Sequence, residues 1–268
     1  DWSMERFTMD EGLSKAVQRV FVELYEKELI YKGTRMVNWD TELMSAVSDL
    51  EVNMTSKQGK LWSLRYKVGD EHIVIATTRP ETLLGDTAIA VNPDDKRYKK
   101  LIGKKAIVPL VNREVPIIAD EYVDVDFGSG CVKITPAHDF NDYEIGIKHS
   151  LEIINCMNLD GSIVNEEYIP KQLRGLDRFE ARKSIIQELE DLNQVENIED
   201  YSIQIPIGDR SKSVLEPMIT EQWFVKAKEL AKDAIKSVET DEIKFIPKNW
   251  EKTYFEWMYN IQDWCISR

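Results

Sequence analysis

Two short stretches concentrate the side chains able to do chemistry. The first, ATTRPETLLGDTAIAVNPDD at residues 76 to 95, turns from a β-prone run into Thr77, Thr78, Arg79, Pro80, Glu81 and Thr82. Pro80 biases Arg79 away from helical backbone, so these hydroxyls and main-chain groups can line a cleft; the same residues also suit a polar turn capping a strand. The second, DFGSGCVKITPAHDFNDYE at residues 126 to 144, sets Lys133, Thr135, His138, Asp139 and Asp142 behind a turn at Gly128 and Gly130. Strand alternation places Cys131, Lys133 and Thr135 on one face, and Asp139 and Asp142, three apart, share one face of a following helical turn. That is the composition of a polar pocket. Its alternative is an N-capping aspartate beside a solvated lysine and a hydrogen-bonded core histidine.

Three reaction classes compete for these groups. A Cys131–His138 pair would need a thiol activated by the imidazole, whereas a cysteine on a strand more often serves as a small buried hydrophobe. A metal centre on His138, Asp139 and Asp142 has suitable ligand types, but the chain has only three histidines and His72 and His149 stand at no ligand spacing. The run GSG at residues 128 to 130 is not the G-x-S-x-G of a nucleophile elbow. What is left is a pocket without a nucleophile, in which charged groups orient a substrate and a water. Such a site suffices for an activated ester, whose barrier positioning and electrostatics can lower.

The elements that must hold these residues are short and β-prone. LWSLRYKV, HIVIAT, AIAVN, AIVPL, VPIIA and CVKIT follow one another from Leu61, separated by Gly, Pro, Asn and Asp. Helical signal enters at DFNDYEIGIKHS after Asp139 and at DRFEARKSIIQELEDL, where Asp177 and Glu180 stand at capping spacing. Upstream, Thr8 and Glu11 open a predicted amphipathic helix within residues 8 to 32, carrying Leu13, Val17, Val20, Phe21 and Leu24. Residues 34 to 52 lack periodicity and are assigned as a connector. Downstream, a helix is predicted from Glu221 to Val238, with Trp223, Ala227, Leu230, Ala231 and Ala234 on one face. The last segment holds Trp250, Trp257 and Trp264 and ends without a cap, which suggests an excised piece of a larger protein.

Composition bounds the answer. The 268 residues are 43% hydrophobic and 31% charged, which excludes disordered and collagen-like chains and fits one large or two small domains. No apolar run reaches membrane-spanning length and the N-terminal residues show no signal-peptide core, so a soluble, cytoplasmic protein without membrane association is expected. Three dispersed cysteines suggest neither a disulfide framework nor a thiolate metal site. A net charge of −13 gives no support to autonomous nucleic-acid binding, so any such contact is local.

Taken together, ATTRPETLLGDTAIAVNP followed by GSGCVKITPAHDFNDYEIG resembles the editing domain of class I aminoacyl-tRNA synthetases, and the likeness spans essentially the whole chain. Within that family VNW with SDLEV, PAHDFNDYE and EPMITEQWFVKAK resemble the valyl branch more than the isoleucyl or leucyl ones. The family's HIGH and KMSKS signatures are absent, so amino-acid activation is not expected. Where many relatives carry cysteine near the NW motif this chain reads NWDTELMSAVSDLEV, which supports no zinc knuckle. The resemblance implies an α/β fold: a β-barrel-like editing domain surrounded by helices over residues 53–200, an N-terminal flanking helix and connector over 1–52, and a return connector over 201–268. Both flanks correspond to helical pieces of a Rossmann catalytic domain.

The same resemblance implies a function and roles. The expected reaction is hydrolysis of threonine mischarged on tRNA(Val), with the 3′ acceptor end as partner and no covalent nucleophile; the alternatives are a non-catalytic acceptor-end binding module and an isoleucyl-type editing domain. Asp142 matches the acidic residue that anchors the α-amino group, and Lys133, Thr135 and Asp139 are expected to read the threonine hydroxyl and orient water. Thr77, Thr78, Arg79 and Thr82 are expected on the opposite wall, with Arg79 near the terminal adenosine or its phosphate and Phe127 against the adenine. His138 falls either in contact with the ligand or behind it. No cofactor or metal is expected for this chain, ATP and Mg belonging to the full-length synthetase, and a monomer is expected.

Overall fold

The computed structural model describes residues 2–268. In chain order its first elements are α1 (Glu11–Glu26), β1 (Ile30–Asp40), β2 (Ser45–Val47), β3 (Val52–Val68), β4 (Glu71–Thr77), β5 (Ala88–Val91), β6 (Lys105–Ile107) and β7 (Glu114–Ala119). They are followed by β8 (Cys131–Ile134), α2 (Phe140–Lys148), α3 (Arg178–Asp191), β9 (Val195–Gly208), β10 (Glu216–Val225), α4 (Ala227–Glu239), α5 (Trp250–Tyr259) and β11 (Trp264–Cys265). The chain divides into two compact units, one of Asp1–Arg35 with Thr220–Arg268 and one of Met36–Ile219.

The larger unit carries the mixed α/β architecture expected. Its sheet runs β4-β3-β6-β7-β5-β8, with β9 paired to β3. The two ends of the path, β4 and β8, pack against each other, so the sheet curls in the manner of a barrel. β5 is the centre of this arrangement: it lies parallel to β7 (Ile89↔Ile117) and antiparallel to β8 (Ile89↔Lys133). All four residues of its AIAV sequence are buried, as a strand covered on both faces requires. Leu64, Tyr66, Ile73, Ile75, Leu83, Leu84, Ile89, Ile117 and Ile134 fill the interior. Ile134 also joins Ala88, Ala90, Val123 and Ile145 in a buried cluster that holds α2 against the sheet.

The smaller unit is held by aromatic contacts. Phe21 and Tyr25 of α1 set ring edges on Trp223, at centroid separations of 5.2 and 6.0 Å, and Tyr31 stacks on Phe224 at 5.7 Å.

Several sequence expectations change. α1 is shorter than residues 8 to 32, begins after Asp10 rather than a Thr8 cap, and Ile30 already belongs to a strand. The segment assigned as a connector contains β1 and β2, which pair antiparallel from Asn38↔Val47 to Asp40↔Ser45. The helix expected from Glu221 begins at Ala227, because residues 216 to 225 form β10. β9 was not anticipated at all: it runs across residue 200 and pairs with β3 from Val52↔Gly208 to Leu64↔Val195. The compact unit is therefore wider on both sides than residues 53–200.

Candidate functional site

β8 delivers the central cation. Its alternation turns Lys133 inward beside Cys131, and Thr135 follows immediately after the strand. The opposing wall comes from the 3₁₀ turn Pro80–Gly85 that follows β4, entered through Arg79, whose φ of −130° and ψ of 67° keep it out of the helical region as the following proline favours. Thr82 Oγ1 of this turn donates to the Arg79 carbonyl at 2.9 Å, and Arg79 N donates to Thr77 Oγ1 at 3.1 Å. α2 supplies the acids. Asp139 is its N-cap, accepting from Asn141 N (2.9 Å) and Asp142 N (3.1 Å), and Asp142 Oδ2 accepts from Thr135 N at 2.8 Å. These contacts lock the end of β8, the cap and the first turn of the helix into one body.

All ten residues singled out from the sequence converge. Thr77, Thr78, Arg79, Thr82, Phe127, Lys133, Thr135, His138, Asp139 and Asp142 line one cleft of about 430 Å³. Tyr201, Ser202, Ile203 and Gln204 of β9 complete it, a contribution that sequence reading missed although SIQI alternates like a strand. Phe127 is half-exposed and sets its edge towards Tyr201 at 6.2 Å. Its loop is pinned by Tyr98 Oη donating to the Ser129 carbonyl (2.7 Å) and Arg97 Nη2 donating to the Val125 carbonyl (2.8 Å). Gly128 and Gly130 both take positive φ in this loop; a side chain at Gly130 would also collide with the Arg97 guanidinium.

Behind the cleft lie charged groups to which the sequence assigns no role. Asp86, fully buried, accepts from Tyr66 Oη (2.7 Å), Thr135 Oγ1 (2.6 Å) and Lys133 Nζ (3.2 Å). Burial raises its carboxyl, against the Lys133 charge and the hydrogen bonds from Thr135 and Tyr66. Glu81, also fully buried, takes both oxygens to Arg182 of α3 (2.6 and 2.7 Å) and lies 3.5 Å from Arg79. Glu216 pairs with Arg79 and, at 2.8 Å, with Arg178. Arg79 Nη1 also donates to the His138 carbonyl at 2.8 Å. The guanidinium is therefore held in the wall of the cleft by Glu216, Glu81 and the His138 carbonyl. The pairing of residues 81 and 182 leaves no local signal beyond Arg178 and Arg182 standing one helical turn apart.

The reactive groups weighed from the sequence are accounted for by geometry. His138 is fully buried, its Nε2 accepts from Cys156 N at 2.9 Å, and burial with the Arg79 and Lys133 charges pushes its ring down to about 3. It is a neutral acceptor inside the wall. Burial pushes the Cys131 thiol up to about 11 and the Cys156 thiol up to about 12, so neither is a ready nucleophile at neutral pH. Among the described residues no group of three or more His, Cys, Asp or Glu side chains is disposed to hold a metal ion. Asp142 behaves differently from an ordinary carboxyl: burial, and then the charge of Asp139, pushes it up to about 7, opposed by Lys133 and Thr135 N. A poised carboxyl therefore sits at the cleft without a protein nucleophile beside it.

A sequence profile of the tRNA synthetases class I (I, L, M and V) matches residues 1–268. The chain belongs to this family. As a class I synthetase chain it is 55% identical, over its full length, to the valine–tRNA ligase of Francisella tularensis subsp. tularensis, and likewise to that of Coxiella burnetii. It is 56% identical to the valine–tRNA ligase of Legionella pneumophila strain Lens, again over its full length. It spans 29% of the length of each of these relatives. Among solved structures, the agnB2 LeuRS of Agrobacterium radiobacter K84, in its LeuRS–tRNA–LeuAMS complex, is a remote likeness with 19% identity and a TM-score of 0.42, covering 78% of this synthetase chain and 34% of that one. Among its described residues no helix is long and apolar enough to cross a membrane.

Proposed function

We propose that this chain is an editing domain of the valine–tRNA ligase type, which hydrolyses the ester of threonine mischarged on tRNA(Val). The observation that carries this reading is the convergence of Lys133, Thr135, Asp139, Asp142 and Thr82 on one cleft that contains no activated thiol or imidazole. A cleft of this size suits a small acyl group with the nucleoside that bears it.

The need for such a site follows from shape. Threonine and valine are nearly isosteric, so an apolar activation pocket cannot strongly reject threonine; this pair is itself the reference case for that limit. A second, polar pocket solves the problem by reading the hydroxyl, since valine would leave its buried donors and acceptors without partners. The Asp142 carboxylate pairs with the α-ammonium, which draws its proton away. Asp139 and Thr135 hold the polar face of the acyl group and a water, with Lys133 orienting Thr135 from behind and Thr77 and Thr78 across the cleft. Phe127 and Tyr201 take the face of the terminal adenine, stacking being the sequence-tolerant way to hold a base. Arg79 and His138 maintain the wall between them.

Water attacks the acyl carbon, the carbonyl oxygen takes the displaced electron pair, and collapse expels the ribose oxygen, which leaves with the proton that the water gave up. The neighbouring ribose hydroxyl is well placed to relay that proton. The products are threonine and a tRNA with its terminal hydroxyl restored. No cofactor enters these steps; ATP and Mg serve activation in the full-length enzyme. With a net charge of −13 the chain grips tRNA weakly and in a salt-sensitive way, as a cytoplasmic monomer whose further tRNA contacts come from the rest of the ligase.

Deacylation of threonyl-tRNA(Val) and valyl-tRNA(Val) by the purified chain, against buffer and Asp142→Ala, tests the proposal. Loss of threonine alone is expected, falling by about a hundredfold in Asp142→Ala and unchanged by EDTA or a thiol blocker. Threonyl-adenosine that is no less stable with the protein than in buffer would reject it in favour of a binding module.

A further inference from the structure

The cleft wall has its hydrogen-bond polarity fixed from behind. Thr135 Oγ1 donates to Asp86 Oδ1 (2.6 Å) and Thr82 Oγ1 donates to the Arg79 carbonyl (2.9 Å), so neither hydroxyl hydrogen is offered to a ligand. Lys133 Nζ spends its three N–H bonds on Thr82 Oγ1 (2.7 Å), Thr135 Oγ1 (2.6 Å) and Asp86 Oδ1 (3.2 Å). The second Asp86 oxygen is taken by Tyr66 Oη at 2.7 Å. An ammonium and two hydroxyls thus surround one buried carboxyl, each donating to it and opposing the protonation that burial favours. Each threonine oxygen has two lone pairs, of which Lys133 occupies one. Lys133, Thr82 and Thr135 have nothing left for a ligand except the second lone pair on each threonine oxygen.

We infer that this wall reads the ligand hydroxyl strictly as a hydrogen-bond donor, through Thr82 Oγ1 and Thr135 Oγ1, and that Asp86, buried behind them, is the positioning residue that sets this polarity. The inference rests on the threonyl-ester reading and deepens it. Lys133 then acts by orienting the two threonine oxygens and by charge, and does not itself donate to the substrate. The matching ligand is an acyl ester bearing two donors, an α-ammonium for Asp142 and a β-hydroxyl for the threonines. A methyl in place of the hydroxyl leaves both lone pairs dry, and an acceptor in its place sets lone pair against lone pair.

The decisive probe is a substrate of equal size that accepts weakly and cannot donate. Turnover by the unmodified chain is compared for threonyl-adenosine, its analogue with fluorine in place of the β-hydroxyl, and valyl-adenosine. The hydroxyl ester is expected to react about a hundredfold faster than the fluoro ester, which falls with the valyl ester. Equal rates for hydroxyl and fluorine would overturn the inference alone, because a donor in the wall would then be reading the group. No turnover of any ester above buffer removes the ester-hydrolase reading and this inference with it. The role of Asp86 is read from the same ratio in Asp86→Ala, which removes the acceptor, frees the Thr135 hydrogen towards the cleft and should shrink the hydroxyl-to-fluorine ratio by about tenfold. An unchanged ratio in that variant, folded by circular dichroism, would reject Asp86 as the positioning residue. Thr135→Ser should keep the ratio and Thr135→Val lose it. The fluorine comparison needs no variant, so it decides even if Asp86→Ala does not fold.

Discussion

Asp86→Ala is expected to cost the larger unit about 3–5 kcal/mol of stability, measured by urea unfolding, because it strands the buried Lys133 ammonium without a counter-charge. The same change takes the acceptor from Tyr66 and Thr135, both of which are buried with it. The cost belongs to breaking the pair rather than to lacking it. In the double variant Asp86→Ala with Lys133→Met, much of the loss should return, since apolar groups filling a former ion-pair site often cost little. A loss below about 1 kcal/mol in the single variant would mean that water reaches Lys133 and replaces the carboxylate. The double variant should recover its fold and not its hydrolysis.

The second large effect is a stability gain that appears only at higher pH. Asp142 is raised from 3.8 to about 7 in the folded chain, chiefly by burial and then by the charge of Asp139. The folded state therefore prefers the proton: the stabilisation is complete below about pH 4 and is lost as pH rises through 7. At about 1.4 kcal/mol for each pK unit, the span corresponds to roughly 4 kcal/mol between pH 4 and pH 8. Asp142→Asn cannot ionise and can still accept from Thr135 N, so it should match the parent chain near pH 4 and melt several degrees higher at pH 8. Asp139→Asn should lower the Asp142 pKa by removing the second cause, visible in a carboxyl-carbon NMR titration. A melting difference independent of pH would show that the Asp142 carboxyl is not perturbed. The variant that gains stability is the one that loses the ammonium partner, as is common where a site holds a charge its surroundings disfavour.

The site was more legible than the scaffold. The residues of both motif blocks fall into one cleft because strand alternation and an aspartate cap are local rules, and Lys133, Thr135 and Asp139 obey them. The apolar strands AIAV and VPIIA announce themselves because they are buried. β9 does not: VENIEDYS is polar on both faces since that part of the strand is paired by backbone hydrogen bonds and covered by little else. β1 and the residues of β10 mix apolar and charged side chains in the same way. The buried ion pairs joining Glu81 to Arg182 and Arg79 to Glu216 link residues far apart in sequence, and no spacing rule reaches them.

The two-stranded ribbon gives the cleft walls of unequal stiffness. Lys133, Thr135 and Asp142 are anchored to buried strands and to each other, whereas Tyr201 to Gln204 stand opposite Gly59 to Ser56 in a ribbon whose β3 residues are largely solvated. Opening of that ribbon breaks few apolar contacts and is a low-energy event, while opening of the β5–β8 wall requires breaching the core. One side of the cleft thus opens at a lower cost than the other. The groups assigned to the proposed hydrolysis belong to the buried side and Tyr201 rides on the other, so under that proposal a bulky ligand end enters and leaves without disturbing the groups that hold the acyl moiety.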